Sequence, residues 1–130
     1  MKIIIVGDGK VGFTLAEHLS QEEHDITVID TNDAALRHAS EALDVMCVKG
    51  NGASISALRE SGVDAADVLI AATSMDEVNM VCCLTAKRLG AKYTIARVRN
   101  VEYAMELSLL KEALGLSLIH ISEPTRRSYI

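Results

Sequence analysis

The sequence predicts an α/β fold: a parallel sheet, open at its edges and covered by helices on both faces. Three observations carry that prediction. Short apolar runs alternate five times with stretches of helical periodicity. The first run passes straight into Gly7-Asp8-Gly9-Lys10-Val11-Gly12, and the second run ends on an acid, Asp30. Strand, glycine turn, helix, strand, acid is the order of a dinucleotide-binding unit.

The elements follow in sequence. Met1 to Val6 read as a buried strand, with Ile3, Ile4, Ile5 and Val6 unbroken by any polar residue. A helix runs from Lys10 to about Gln21 on the inner face of Val11, Leu15, Ala16 and Leu19. The second strand is Asp25 to Asp30. Asn32 or Thr31 caps a second helix, with Asp33 in its first turn and Ala35, Leu36, Ala39 and Leu43 as its buried stripe. Val45 to Val48 make a third strand. The loop Gly50-Asn51-Gly52 then leads to a short helix, capped by Ser54 or Asn51 and stopped at Gly62. The fourth strand, Val68 to Ala72, opens into the polar turn Thr73-Ser74-Met75-Asp76-Glu77-Val78-Asn79. There Ser74 and Glu77 have the spacing of a capping box. A helix through Val78, Val81, Cys82, Thr85, Ala86 and Leu89 ends at Gly90. The fifth strand, Tyr93 to Val98, delivers Arg97 and Arg99 to its carboxyl end. Asn100 caps a last helix, Val101 to Leu114, with Tyr103, Leu107, Leu110 and Leu114 as its apolar positions. Five such alternations give a Rossmann-like, doubly wound parallel sheet in the order 3-2-1-4-5.

The chemistry explains the residues at the first turn. Gly7 lets the chain bend sharply out of the strand, Gly9 leaves the backbone open to a pyrophosphate, and Gly12 lets the helix lie close to the sheet. Phosphates then face free N–H groups at a helix N-terminus, where the dipole favours an anion. Asp30 lies eighteen residues after Gly12, near the offset of about twenty at which a carboxylate accepts both ribose hydroxyls. That carboxylate repels a 2′-phosphate, which favours NAD(H) or an adenosine nucleotide over NADP(H). The fourth strand pairs with the first, so Thr73 and Ser74 face the crevice where strand order reverses. An arginine at the fifth strand's end can pair bidentately with phosphate, or it can simply be solvated. The Gly50-Asn51-Gly52 loop either packs beside the adenosine pocket or is a plain connection.

Composition sets bounds on function. The chain has 130 residues, 49% hydrophobic and 24% charged, which suits one globular domain with a sizeable core. One Phe, three Tyr and no Trp make that core aliphatic. A net charge of −5 with no basic stripe argues against a nucleic-acid partner. Cys47, Cys82 and Cys83 lack zinc spacing and read as reduced core thiols. No metal site and no catalytic residue is expected. No apolar run has the length of a membrane span.

Gly7 to Gly12, Asp30, Gly50 to Gly52, Ala72 to Asn79 and Ile95 to Asn100 together give residues 1–115 a closer resemblance. The segment resembles the N-terminal RCK (KTN) domain of the TrkA family, the nucleotide-binding regulatory subunits of bacterial Trk potassium uptake systems. The resemblance implies a cytoplasmic protein that binds NAD(H), with ATP or ADP as further ligands. It implies docking at the inner face of the cell membrane on a potassium-translocating membrane subunit, and assembly as a homodimer or higher ring. Carried over by position, the cofactor contacts are Gly7, Asp8, Gly9, Lys10, Val11, Gly12, Asp30, Thr73, Ser74 and Arg97. Some relatives carry arginine where this chain has Lys10.

The run from Leu116 departs from the family and looks like translated sequencing adapter, so residues 116–130 are expected to be a non-native tail. The physical alternative is a sixth, edge strand made by Leu118, Ile119 and Ile121. The expected function is regulatory, with the cofactor-binding half of an NAD-dependent dehydrogenase as the competing reading. Against an enzyme, His18, His24 and His38 all fall away from the strand ends where a nicotinamide would lie.

Overall fold

The computed structural model describes residues 1–7, 9–114 and 120–121. Its elements are β1 (Lys2–Val6), α1 (Lys10–Ser20), β2 (Asp25–Asp30), α2 (Asp33–Ala42), β3 (Met46–Lys49), α3 (Ile55–Glu60), a 3-10 turn (Val63–Ala65), β4 (Val68–Ala71), α4 (Asp76–Leu89), β5 (Tyr93–Arg97), α5 (Val101–Leu114) and β6 (His120–Ile121). The strands form one sheet in the order β3-β2-β1-β4-β5-β6, and every pairing is parallel. This is the doubly wound sheet expected from the alternation. The edge strand β6 is present as a two-residue piece in register with Ala96 and Arg97 of β5. Leu118 and Ile119 lie outside the described residues, as does most of the remaining tail.

The apolar character of β1 follows from its place at the centre. Ile4 and Val6 point to one face, where they pack with Leu58 of α3, Cys82 and Cys83 of α4 and Ala104 of α5. Ile3 and Ile5 point to the other face, against Ala16 of α1 and Leu36 of α2. A strand buried on both sides loses the alternation of a half-exposed one. Each such side chain contributes about 1.5–3 kcal/mol by leaving water. Cys82 and Cys83 are both fully buried, and burial pushes the Cys82 thiol up to about 12 and the Cys83 thiol upward as well. They are inert core groups.

Most caps and boundaries match expectation to within a residue. Asn32 caps α2 by accepting the N–H groups of Ala34 and Ala35, and Asn100 accepts those of Glu102 and Tyr103 at the start of α5. Asn51 accepts the Ala53 N–H before α3, while Ser54 holds the N-cap position of that helix without a side-chain bond to it.

Two expectations fail. The capping box does not form, because α4 begins one residue later than the spacing suggests. Met75 is its N-cap, which places Ser74 outside the helix and Glu77 one position too early to reach back. The Glu77 carboxylate instead lies close enough to the Tyr103 hydroxyl to hold that group's pKa above the ordinary value. The buried face of α4 is also rotated: Asn79, Cys82, Cys83 and Ala86 are inside, while Val81 is exposed. The side chains of Leu107, Leu110 and Leu114 lie outside the described residues.

Candidate functional site

Above the carboxyl edge of the sheet lies a cleft of about 470 Å³. Four adjacent strands supply its floor in the order β2, β1, β4, β5, each contributing residues at or just past its carboxyl end. From β1 come Val6 and the glycine bend. Gly7 has φ +93°, which favours glycine, and its N–H donates to the Ile29 carbonyl at 2.8 Å. The bend is thereby tied to the end of β2. Gly9 and Lys10 line the cleft where α1 begins. Gly9 is the N-cap residue and has no side chain to cap with, so the first-turn amides of α1 carry no side-chain partner from it. A β-carbon built on Gly9 would meet nothing within 4 Å. This is open backbone beside a helix terminus that favours anions.

At the β2 side, Asp30 and Thr31 line the cleft. One Asp30 carboxylate oxygen accepts the Asn32 N–H at 2.8 Å, which orients the group as the chain turns into α2. The Asp30 carbonyl accepts the Gly50 N–H at 2.9 Å. That bond brings Gly50, Asn51 and Gly52 to the same rim, so the second glycine loop does border the cleft. Gly52 lies so close to β1 that a β-carbon there would sit 2.1 Å from a methyl group of Val6.

The opposite rim comes from Ala72, Thr73, Ser74, Met75 and Val78 after β4, and from Arg97 at the end of β5. Asp30 and Arg97 are thus separated by three strand spacings, about 14 Å. A ligand that touches both must be long, with a hydroxyl-bearing end for the carboxylate and an anionic part for the cations and amides. Lys10 and Arg97 supply the positive charge.

The structure therefore brings Gly7, Gly9, Lys10, Asp30, Thr73, Ser74 and Arg97 around one cleft. Asp8 lies outside the described residues. Val11 and Gly12 do not line the cleft: Val11 packs beside the core under α1, and Gly12 is buried against the Gly7 carbonyl. Their contribution to the site is confined to first-turn backbone. Arg97 and Arg99 do not form a pair in the cleft, because β5 ends at Arg97 and the chain turns. The Arg99 guanidinium donates to the Ser74 carbonyl, and its N–H goes to the Asp76 carboxylate at 3.0 Å. Sequence reasoning missed Asp76, which binds the amides of Arg99 and Asn100, and Asn79, which joins nearby Thr73 to Arg97, 18 residues on. The clue available was that both stand in the polar stretch that opens this helix.

Residues 3–117 match the sequence model of the TrkA-N domain family. The Trk system potassium uptake protein TrkA of Halomonas elongata is 52% identical over 121 residues, covering 92% of this chain and 26% of that one. Among solved structures, the GsuK channel bound to NAD superposes with a TM-score of 0.75 at 26% identity, over 95% of this chain and 21% of the channel chain. GsuK bound to ADP gives 0.74 at 26% identity, over 92% of this chain and 31% of that one. The chain spans about a quarter of the length of the Halomonas relative.

Proposed function

The chain belongs to the TrkA-N domain family, and from that membership we propose that it is the nucleotide-sensing module of a Trk-type potassium uptake system. One observation carries the reading. A single cleft presents the glycine bend and Lys10 after β1, an oriented carboxylate on the adjacent strand β2, and Arg97 at the other end of the strand row. That pairing suits a diphosphate joined to a ribose. NAD(H) is the leading ligand, with ADP and ATP as alternatives, because related structures carry NAD and ADP. Asp30 disfavours a 2′-phosphate by charge repulsion.

The role is regulatory rather than catalytic. Among the described cleft-lining residues, the groups able to move a proton are Lys10 and Asp30, and in this proposal they are assigned to phosphate and ribose. The module would act by differential binding: two nucleotides that engage Arg97 and the α1 amides differently would favour different arrangements of a dimer or ring. A potassium-translocating membrane subunit would feel that difference. A ligand without such a difference shifts nothing. The domain boundary near residue 115 belongs to the same proposal. So does a cytoplasmic position, peripheral to the membrane through that subunit. Among the described residues, no helix is long and apolar enough to cross a membrane.

Isothermal titration calorimetry of the 130-residue chain with NADH, ADP and ATP tests the first step. The Asp30→Ala variant should bind NADH roughly tenfold or more weakly, the loss of a charge-assisted bond pair. Absence of binding by all three nucleotides, or an unchanged affinity in the variant, overturns the assignment.

A further inference from the structure

We propose that Asn79, which does not line the cleft, is the positioning residue of this site and sets its affinity by fixing Thr73 against Arg97. The inference rests on the nucleotide reading above. Asn79 is 0% exposed, in the first turn of α4. A carboxamide has two N–H donors and an oxygen with two lone pairs, and here all four are used. Nδ2 donates to the Thr73 carbonyl at 3.1 Å and to the Arg97 carbonyl at 2.8 Å. Oδ1 accepts the Thr73 N–H at 2.9 Å and the Thr73 hydroxyl at 2.7 Å. Turning the amide over would set its NH₂ against an N–H and its oxygen against two carbonyls, so one orientation alone satisfies the cluster.

The sheet cannot do this work itself. The β4–β5 ladder has its last pair at Ala71 and Ala96, and Thr73 and Arg97 both lie past it. Where the ladder stops, Asn79 continues the link between the two strand ends through side-chain bonds. Packing alone does not require an amide here, since Cys82, Cys83 and Ala86 close the same helix onto the sheet with apolar groups. Burying a carboxamide costs desolvation that hydrogen bonds only offset. What the four bonds add is orientation.

A chemical consequence follows for Thr73. Its hydroxyl hydrogen has two acceptors inside the protein, Asn79 Oδ1 at 2.7 Å and the Met75 carbonyl at 3.2 Å, and its oxygen accepts the Met75 N–H at 3.2 Å. Toward the cleft it therefore offers a lone pair. Its partner on a ligand is a donor such as a ribose hydroxyl or a water, and anionic oxygens are left to Arg97 and to backbone amides.

The test is a double-mutant cycle on the 130-residue chain, with NADH titrated calorimetrically and melting followed by circular dichroism. Asn79→Leu keeps the branched heavy-atom skeleton and removes all four bonds. We expect it to weaken NADH binding roughly tenfold or more. In an Arg97→Ala background the same change should weaken binding by less than about threefold, because the guanidinium carried by the strand end that Asn79 holds is gone. A merely structural role would lower the melting temperature yet let the two losses multiply. If Asn79→Leu does not fold, Asn79→Ala enters the same cycle, since water can then occupy the vacated bonds. The inference falls if the wild type binds and the folded variant binds within about twofold of it. It also falls if the losses multiply, or if neither variant folds. A wild type that binds no NADH, ADP or ATP removes the nucleotide reading itself, and this inference with it.

Discussion

Gly12 and Gly9 occupy one motif and answer to different physical demands. A β-carbon on Gly12 would stand 1.6 Å from the Gly7 carbonyl oxygen, which is backbone and cannot step aside. Gly12→Ala should therefore destabilise the fold by about 3 kcal/mol or more, read as a lower midpoint in urea unfolding. Gly9 has φ −67° and open space around it. Gly9→Ala should cost under about 1 kcal/mol of stability, yet weaken nucleotide binding through the methyl group placed in the cleft. Equal stability losses in the two variants would contradict the assignment of Gly12 to packing and Gly9 to the ligand. The motif was legible because its spacing is local. Which glycine serves the fold and which serves the cleft was predicted from the unit's ordinary geometry, and contacts made across the bend bear out the packing role of Gly12.

At the scale of the element, α4 departs furthest from its sequence pattern. Its start was read from Ser74 and Glu77, whose spacing satisfies a local rule. The chain instead uses Asp76 and Asn79, which share a face at the helix entry and bond to residues far along the chain. Asp76, nearly buried, accepts the backbone N–H groups of Arg99 and Asn100 and so holds the turn from β5 into α5. Removing that carboxylate leaves two amides without their acceptor. Asp76→Ala should lower stability by about 2 kcal/mol. It should also speed amide exchange at Arg99 and Asn100 selectively, as seen by nuclear magnetic resonance. Protection unchanged at both amides would show that the turn is held by something else. A propensity pattern cannot reveal such bonds, because an aspartate at a helix start looks the same whether it meets its own first turn or a distant loop.

Across the whole molecule, the amino ends of the strands are joined by a charged clasp opposite the cleft. Asp67 precedes β4 and accepts the Lys2 N–H of β1 at 2.8 Å, and its other oxygen lies 3.4 Å from the Lys92 ammonium before β5. The Lys2 amide first, then Lys92, hold its carboxyl below the ordinary value of 3.8. A depressed carboxylate stabilises the fold above its unfolded pKa and ceases to do so as pH falls through the folded value. As pH falls below about 4, the wild type should therefore lose stability more steeply than Asp67→Asn, measured by urea midpoints at successively lower pH. Parallel slopes would remove Asp67 from the acid response.

The alternation of apolar runs with helical segments determined the sheet, its strand order and the coarse location of the site. Each of those follows from periods of two and 3.6 residues and from the right-handedness of parallel crossovers, which are properties of short stretches. Gly7, Gly9, Lys10, Asp30, Thr73, Ser74 and Arg97 could be placed at one edge in advance because each stands at or just past the end of a strand, and in a parallel sheet those ends meet at one edge. Only the tertiary structure decided that Arg99 leaves that edge, that Val81 faces outward, that Glu77 lies close to Tyr103, and that Asn79 ties Thr73 to Arg97. Those outcomes depend on where a turn ends to within one residue, which shifts every later side chain on a helix by 100°. They depend too on bonds between groups that meet only after the sheet has assembled.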